Sequence, residues 1–341
     1  MPRAADRSGV DGGTAERRLQ ADLAGKGGEA VAIDFPVLGR PLRARRIPTA
    51  LRRWLEEHWH RPEHAPDAHP FAITLEGVGA DEGDRGAALE GERVRATMPG
   101  FDQTWHHEGT VWEWRSDGAG VRLELEPEAA RIQVWGNAAG SAEALAALHV
   151  ALCEALRASG LVPLHAAVAV PPGEDGRATA LLGRSGVGKS TTLLRLVGAG
   201  WRPLAEDLSW IDPETLALYA WDRGVRLWPG TLEAFLPQLA AKDWRTGADG
   251  KPFLAYAELG PVHPRTGTPE RFAPPARVPD GGTGWEPLAP AEAVRALWEA
   301  VGVPLAPTSR TEAAAWIASA IKRVPAYRLK VGATELPAEV G

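Results

Sequence analysis

The string Gly183-Arg-Ser-Gly-Val-Gly-Lys-Ser190 constrains this chain more than any other feature. It has the spacing G-x-x-x-x-G-K-[S/T], with an apolar run at 178–182 before it and an apolar-periodic run at 191–197 after it, so the order strand, loop, helix is expected. Its glycines allow backbone conformations closed to other residues, so successive N–H groups can point into one concavity. A ring of donors at the positive end of a helix dipole suits phosphate oxygens. Lys189 is then placed for the β- and γ-phosphates of a nucleoside triphosphate, expected to be ATP, and Ser190 for Mg²⁺. Gly183, Arg184, Ser185, Gly186, Val187, Gly188 and Thr191 complete the expected binding set.

At 341 residues the chain is long enough for two domains. Residues 1–30 read as a mobile leader with a short helix near 15–23, 31–140 as a β-rich N-terminal domain, and 141–341 as the domain that carries the loop. Short alternating runs at 71–75, 110–114, 121–125 and 131–135, separated by Gly, Asp and Pro, predict an antiparallel sheet in the front half. Ser141 is placed to cap a helix running to about Ala158, with Gly160 to stop it. Two apolar strands follow, at 161–170 and 177–182, divided by a Pro/Gly turn. Further strands are expected at 203–205, 208–211 and 327–331, and helices at 289–301 and 311–321. The weakly periodic region 245–286 reads in part as a mobile loop.

A net charge of −6 argues against a broad nucleic-acid surface, and Arg43, Arg45, Arg46, Arg52 and Arg53 read as a solvated basic face. One cysteine, Cys153, excludes an intramolecular disulfide and a cysteine-rich metal site. His58, His60, His64 and His69 fit no zinc spacing. No run of about 18 apolar residues occurs, so no membrane partner is expected and a cytoplasmic location is.

The loop alone does not separate transport ATPases, switches and kinases. The next acids do more. Transport ATPases with this loop carry a Leu-Ser-Gly-Gly-Gln-like signature, which is absent here, whereas Glu206-Asp207 ends an apolar strand only 17 residues beyond Ser190. The stretches Leu164-His165-Ala-Ala-Val-Ala-Val, the loop itself, and Ala199-Gly200-Trp-Arg-Pro-Leu-Ala-Glu206-Asp207-Leu-Ser resemble the catalytic domain of HPr kinase/phosphorylase over about residues 150–235.

That resemblance implies an α/β fold: a P-loop kinase domain of the HPr kinase/phosphoenolpyruvate carboxykinase type, preceded by a smaller β-rich domain. It also implies that Asp207 is the base that deprotonates an acceptor serine and that His165 lies near the nucleotide phosphates. Asp207 read instead as a magnesium-ordering acid, and His165 as a strand histidine satisfied by its neighbours, stay open. Glu206 stands where the family has aspartate, as a metal partner with Ser190 and Asp207 or as an acid behind them. Arg226, with Arg223 or Lys251, is a candidate to reach the γ-phosphate or the acceptor.

The family's Glu-x-Arg-Gly-Leu-Gly stretch for the reverse reaction is absent, which favours a one-way kinase. Arg223-Gly-Val-Arg226-Leu-Trp-Pro-Gly looks like the smaller HPr-kinase-like proteins of ribosomal and lasso peptide biosynthesis. The implied activity is ATP-dependent phosphorylation of a serine on a peptide or small protein, with assembly into a homo-oligomer left open. A small-molecule kinase and an ATP-dependent switch or assembly ATPase are the alternatives.

Overall fold

The computed structural model describes residues 31–60, 68–78, 88–98, 101–173, 175–237, 244, 246, 251–259, 265–278 and 282–332. The expected leader at 1–30 and His64 lie outside the described residues, as does part of the 245–286 region. The chain is a mixed α/β protein that divides into two compact units within a helix, between Leu152 and Cys153, with Leu38–Arg40 and residues 68–71 grouped in the second. Among the described residues no helix is long and apolar enough to cross a membrane.

The first unit contains β1 (Val31–Val37), β2 (Arg40–Ile47), α1 (Thr49–His58), β3 (Ala72–Val78), β4 (Glu92–Met98), β5 (Phe101–Glu108), β6 (Val111–Ser116), β7 (Ala119–Glu126) and β8 (Ala129–Gly136). They form one sheet in the order β1-β2-β3-β8-β7-β6-β5-β4. The antiparallel expectation is met along β8-β7-β6-β5-β4, but β3 runs parallel to both β2 and β8. Parallel neighbours need a crossover connection, and α1 lies in the connection between β2 and β3. Alternation on β7 buries Val121, Leu123 and Leu125 and leaves Arg122, Glu124 and Glu126 half-exposed. Trp105, Trp112 and Trp114 are core residues.

The dividing helix, α2 (Ala142–Ala158), begins as expected: Ala144 N donates to Ser141 Oγ at 3.2 Å. Gly160 follows it at φ 92°, a left-handed stop. The second unit then runs β9 (Val162–Leu164), β10 (Ala166–Val170), β11 (Arg177–Leu182), α3 (Lys189–Gly198), β12 (Arg202–Ala205), β13 (Ser209–Ile211), β14 (Leu218–Ala220), β15 (Gly224–Arg226), α4 (Pro229–Phe235), β16 (Phe253–Ala255), β17 (Thr266–Phe272), β18 (Pro275–Arg277), β19 (Gly284–Pro287), α5 (Pro290–Val301), α6 (Pro307–Arg323) and β20 (Tyr327–Val331). Seven strands form the main sheet, ordered β12-β10-β11-β17-β14-β13-β9, with β15-β16 and β18-β20-β19 as smaller sheets.

Both faces of the main sheet are covered, which explains its continuous apolar runs. On β10, Ala166, Val168 and Val170 pack with Leu297, Ala300 and Val301 of α5 and Trp316 and Ile317 of α6. The alternate residues Ala167 and Ala169 pack with Leu193, Leu194 and Leu196 of α3.

One sequence expectation is corrected. The single strand expected at 161–170 is two strands broken at His165, whose backbone N–H donates to Ala300 O at 2.8 Å outside the ladder. In the weakly periodic region, β17 pairs in parallel with β11, the strand that carries the phosphate loop. Its sequence, Thr-Gly-Thr-Pro-Glu-Arg-Phe, holds one large apolar residue and a proline, so its strand character comes from the sheet around it.

Candidate functional site

Strand β11 is buried from Ala178 to Leu182 and releases the chain into the glycine loop. Gly183, Gly186 and Gly188 adopt φ of 131°, 83° and 102°, all in the region that disfavours a Cβ. At Gly186 and Gly188 a Cβ would meet nothing within 4 Å, so those glycines are required by backbone conformation alone. Gly188 also caps α3, which starts at Lys189. Arg184, Ser185 and Val187 project from the loop into solvent, while Ser190 and Thr191 are half-buried in the first turn of the helix.

The Lys189 ammonium is buried and spans the loop, donating to Gly183 O at 2.7 Å and Arg184 O at 3.4 Å. Burial lowers its pKa, and the nearby Asp207 and Glu206 oppose that shift. Ser190 Oγ donates to Glu206 Oε1 in a very short hydrogen bond. The strand register explains why these groups meet. β12 pairs with β10 through Ala205 and Val168, and β13 pairs with β9 through Ser209 and Leu164, which continues one register across the gap. The break at His165 therefore lies opposite the turn Glu206-Asp207-Leu208.

Across that gap His165 Nε2 and Asp207 Oδ1 stand 2.6 Å apart. Burial raises the Asp207 pKa, but the hydrogen bond and charge of His165, with Lys189 and Arg226, outweigh it and hold the carboxyl below its usual value. Its side chain is still 61% exposed, so water screens these charges and leaves the carboxylate reachable. Glu206 differs. It is 7% exposed, and burial, reinforced by Asp207 and Asp222, pushes its pKa up to about 7 against the Ser190 and Arg226 hydrogen bonds.

Asp222 was not among the residues the sequence pointed to, yet it holds the acid turn. Its Oδ2 accepts the backbone N–H groups of Glu206, Asp207 and Leu208 at 3.0, 2.7 and 2.8 Å. Burial pushes its pKa up to about 6, against the pull of those three amides. Arg265 donates to Asp222 O at 2.8 Å and steadies the same segment. The one sequence signal for Asp222 is an acid set just after the strand end Ala220 and the apolar Trp221.

Of the three cations singled out, Arg226 lies beside the acids: its backbone N–H donates to Glu206 Oε2 at 3.4 Å, and its charge acts on Asp207. Lys251 sits over the Trp228 ring at 5.1 Å, and Arg223 is exposed on the turn before β15. Among the described residues no group of three or more His, Cys, Asp or Glu forms a metal cage. The hard oxygens of Ser190 and Glu206 nevertheless fit Mg²⁺, which keeps several waters and takes its other ligands from phosphates. No protein-family model matches the chain, and no curated protein matches it.

Proposed function

We propose that the chain transfers the γ-phosphoryl group of ATP to a serine hydroxyl on a peptide or small protein, as a P-loop kinase of the HPr kinase/phosphoenolpyruvate carboxykinase type. The observation that supports this most is the division of labour between adjacent acids. Glu206 engages the loop's Ser190, as a magnesium-ordering acid should, and leaves Asp207 exposed and paired with His165.

In this reading the loop amides and Lys189 hold the triphosphate, and the Ser190–Glu206 pair supplies oxygen donors for Mg²⁺, whose charge offsets that of the phosphates. Asp207 is ionised at neutral pH and accepts a hydrogen bond from the incoming hydroxyl, orienting its lone pair towards the γ-phosphorus. As the new O–P bond forms, the bond from the γ-phosphorus to the bridging oxygen of ADP breaks and the serine proton passes to Asp207. A carboxylate held at low pKa is a weak base, which suits a loose transition state in which the proton moves late. His165 fixes the rotamer of Asp207 and steadies its charge.

The test is transfer of labelled phosphate from ATP to serine-containing peptides encoded near this chain's gene. The wild type labels serine, whereas Asp207→Asn keeps ATP binding and loses transfer by about 10²–10⁴-fold. Release of free phosphate with no labelled peptide would identify water as the acceptor and replace the transferase reading with a switch. Unimpaired transfer by Asp207→Asn would remove the proposed base.

A further inference from the structure

The main sheet gives the phosphate loop two unlike flanks. β11 delivers Gly183 from between β10 and β17. On the β10 side stand His165, Glu206 and Asp207. On the β17 side the ladder continues past the strand ends, with Ala273 N donating to Ala180 O at 2.8 Å and Leu182 N to Ala273 O at 3.2 Å. This brings Pro274 beside Gly183, and a cleft of about 190 Å³ opens there between the loop, α5 and β20.

Resting on the nucleotide reading above, we propose that this cleft receives the purine base of the donor, so that the triphosphate crosses the loop with its γ end at Asp207 and its base against α5. Size supports this. Clefts that enclose a whole drug-sized ligand run to ~300–1,000 Å³. This one is smaller, suited to one ring system whose phosphates lie elsewhere. Its floor is apolar, formed by Val187, Pro274, Leu288 and Ala296.

Val187 is 41% exposed, unusual for a valine, and a flat ring seated in the cleft would cover it. Three guanidinium groups and the carboxylates of Glu292 and Glu299 complete the lining. Arg184 and Arg295 are exposed, and Arg328 is tied to Glu292 at 2.7 Å. A guanidinium can stack on the face of an aromatic base. Recognition by ring faces rather than edges favours purine over pyrimidine triphosphates, because the larger ring covers more of the floor.

The arrangement also keeps the base away from Glu206 and Asp207, leaving the Asp207 flank to the acceptor. Chemistry at one edge of the loop and base recognition at the other follow from β11 lying between β10 and β17.

Calorimetric titration with the magnesium salts of ATP and of inorganic tripolyphosphate tests this. The wild type should bind ATP about tenfold more tightly than tripolyphosphate, the contribution of one stacked base. Ala296→Leu, which fills the cleft, should bring ATP down to the tripolyphosphate affinity and leave tripolyphosphate unchanged. Arg295→Ala, at an exposed position, should weaken ATP alone by about threefold and decides the matter should the leucine variant not fold. Equal wild-type affinity for the two ligands, or a ratio that neither variant alters, overturns the base site while leaving the phosphate loop intact. A wild type that binds neither ligand instead removes the nucleotide reading, and this inference with it.

Discussion

Replacing Glu206 with glutamine separates the cost of a buried charge from the hydrogen bond that the same side chain makes. Burial moves the Glu206 carboxyl from 4.5 to about 7 in the folded chain. Between those values the folded state binds more protons than the unfolded state, so the free energy of unfolding falls as pH rises through this window. The full shift corresponds to ~3 kcal/mol. Glutamine can still accept from Ser190 Oγ but does not titrate. Its stability relative to wild type should therefore rise by ~3 kcal/mol between pH 4 and pH 8. Asp222 titrates in both proteins, from 3.8 to about 6, and its contribution largely cancels in the difference. Urea unfolding at four or five pH values, followed by the fluorescence of the 14 tryptophans, gives the curve directly. A difference that stays flat with pH would refute the argument that Glu206 is held against its charge.

Two further outcomes follow from the same geometry. Asp222→Ala removes the acceptor of three amides in the acid turn, so it should cost about 1–3 kcal/mol in urea unfolding and depress phosphoryl transfer more than ATP affinity, read as a fall in kcat at little-changed KM. Gly188→Ala should lower stability by about 1–2 kcal/mol, measured as a shift in Tm, and weaken ATP binding; since its Cβ would touch nothing within 4 Å, the loss comes from the φ of 102° rather than from crowding.

The loop was legible because its chemistry is local: the glycine spacing, Lys189 and Ser190 occupy eight consecutive residues between an apolar strand and a helix. The acids Glu206 and Asp207 were legible as a pair at a strand end, and the structure brings both to the loop. In the second unit three features were not legible, each because it depends on contacts distant in sequence. The break at His165 arises where β9 and β10 pair with different strands of the sheet, and neighbouring apolar residues carry no mark of it. β17 takes its place from β11 and β14 on either side, against its own proline and glycine. Asp222 looks from its neighbours like an ordinary acid at the end of a strand, and only the fold brings it to the amides of residues 206–208. In the front half, the alternation in β7 and β8 exposed the strands, but not that β3 would lie parallel between β2 and β8.

The geometry at Asp207 decides between a phosphotransferase and a nucleotide binder, and a structure with Mg²⁺ and a non-hydrolysable ATP analogue measures it most directly. The expected result places the γ-phosphate on the amides of residues 183–190 with the Lys189 ammonium against it. The Asp207 carboxylate should then be near enough that a hydroxyl in line with the γ-phosphorus lies about 2.6–3.2 Å from it. A γ-phosphate seated away from the glycine loop, or an Asp207 turned out of reach of that hydroxyl position, would contradict the proposed transfer.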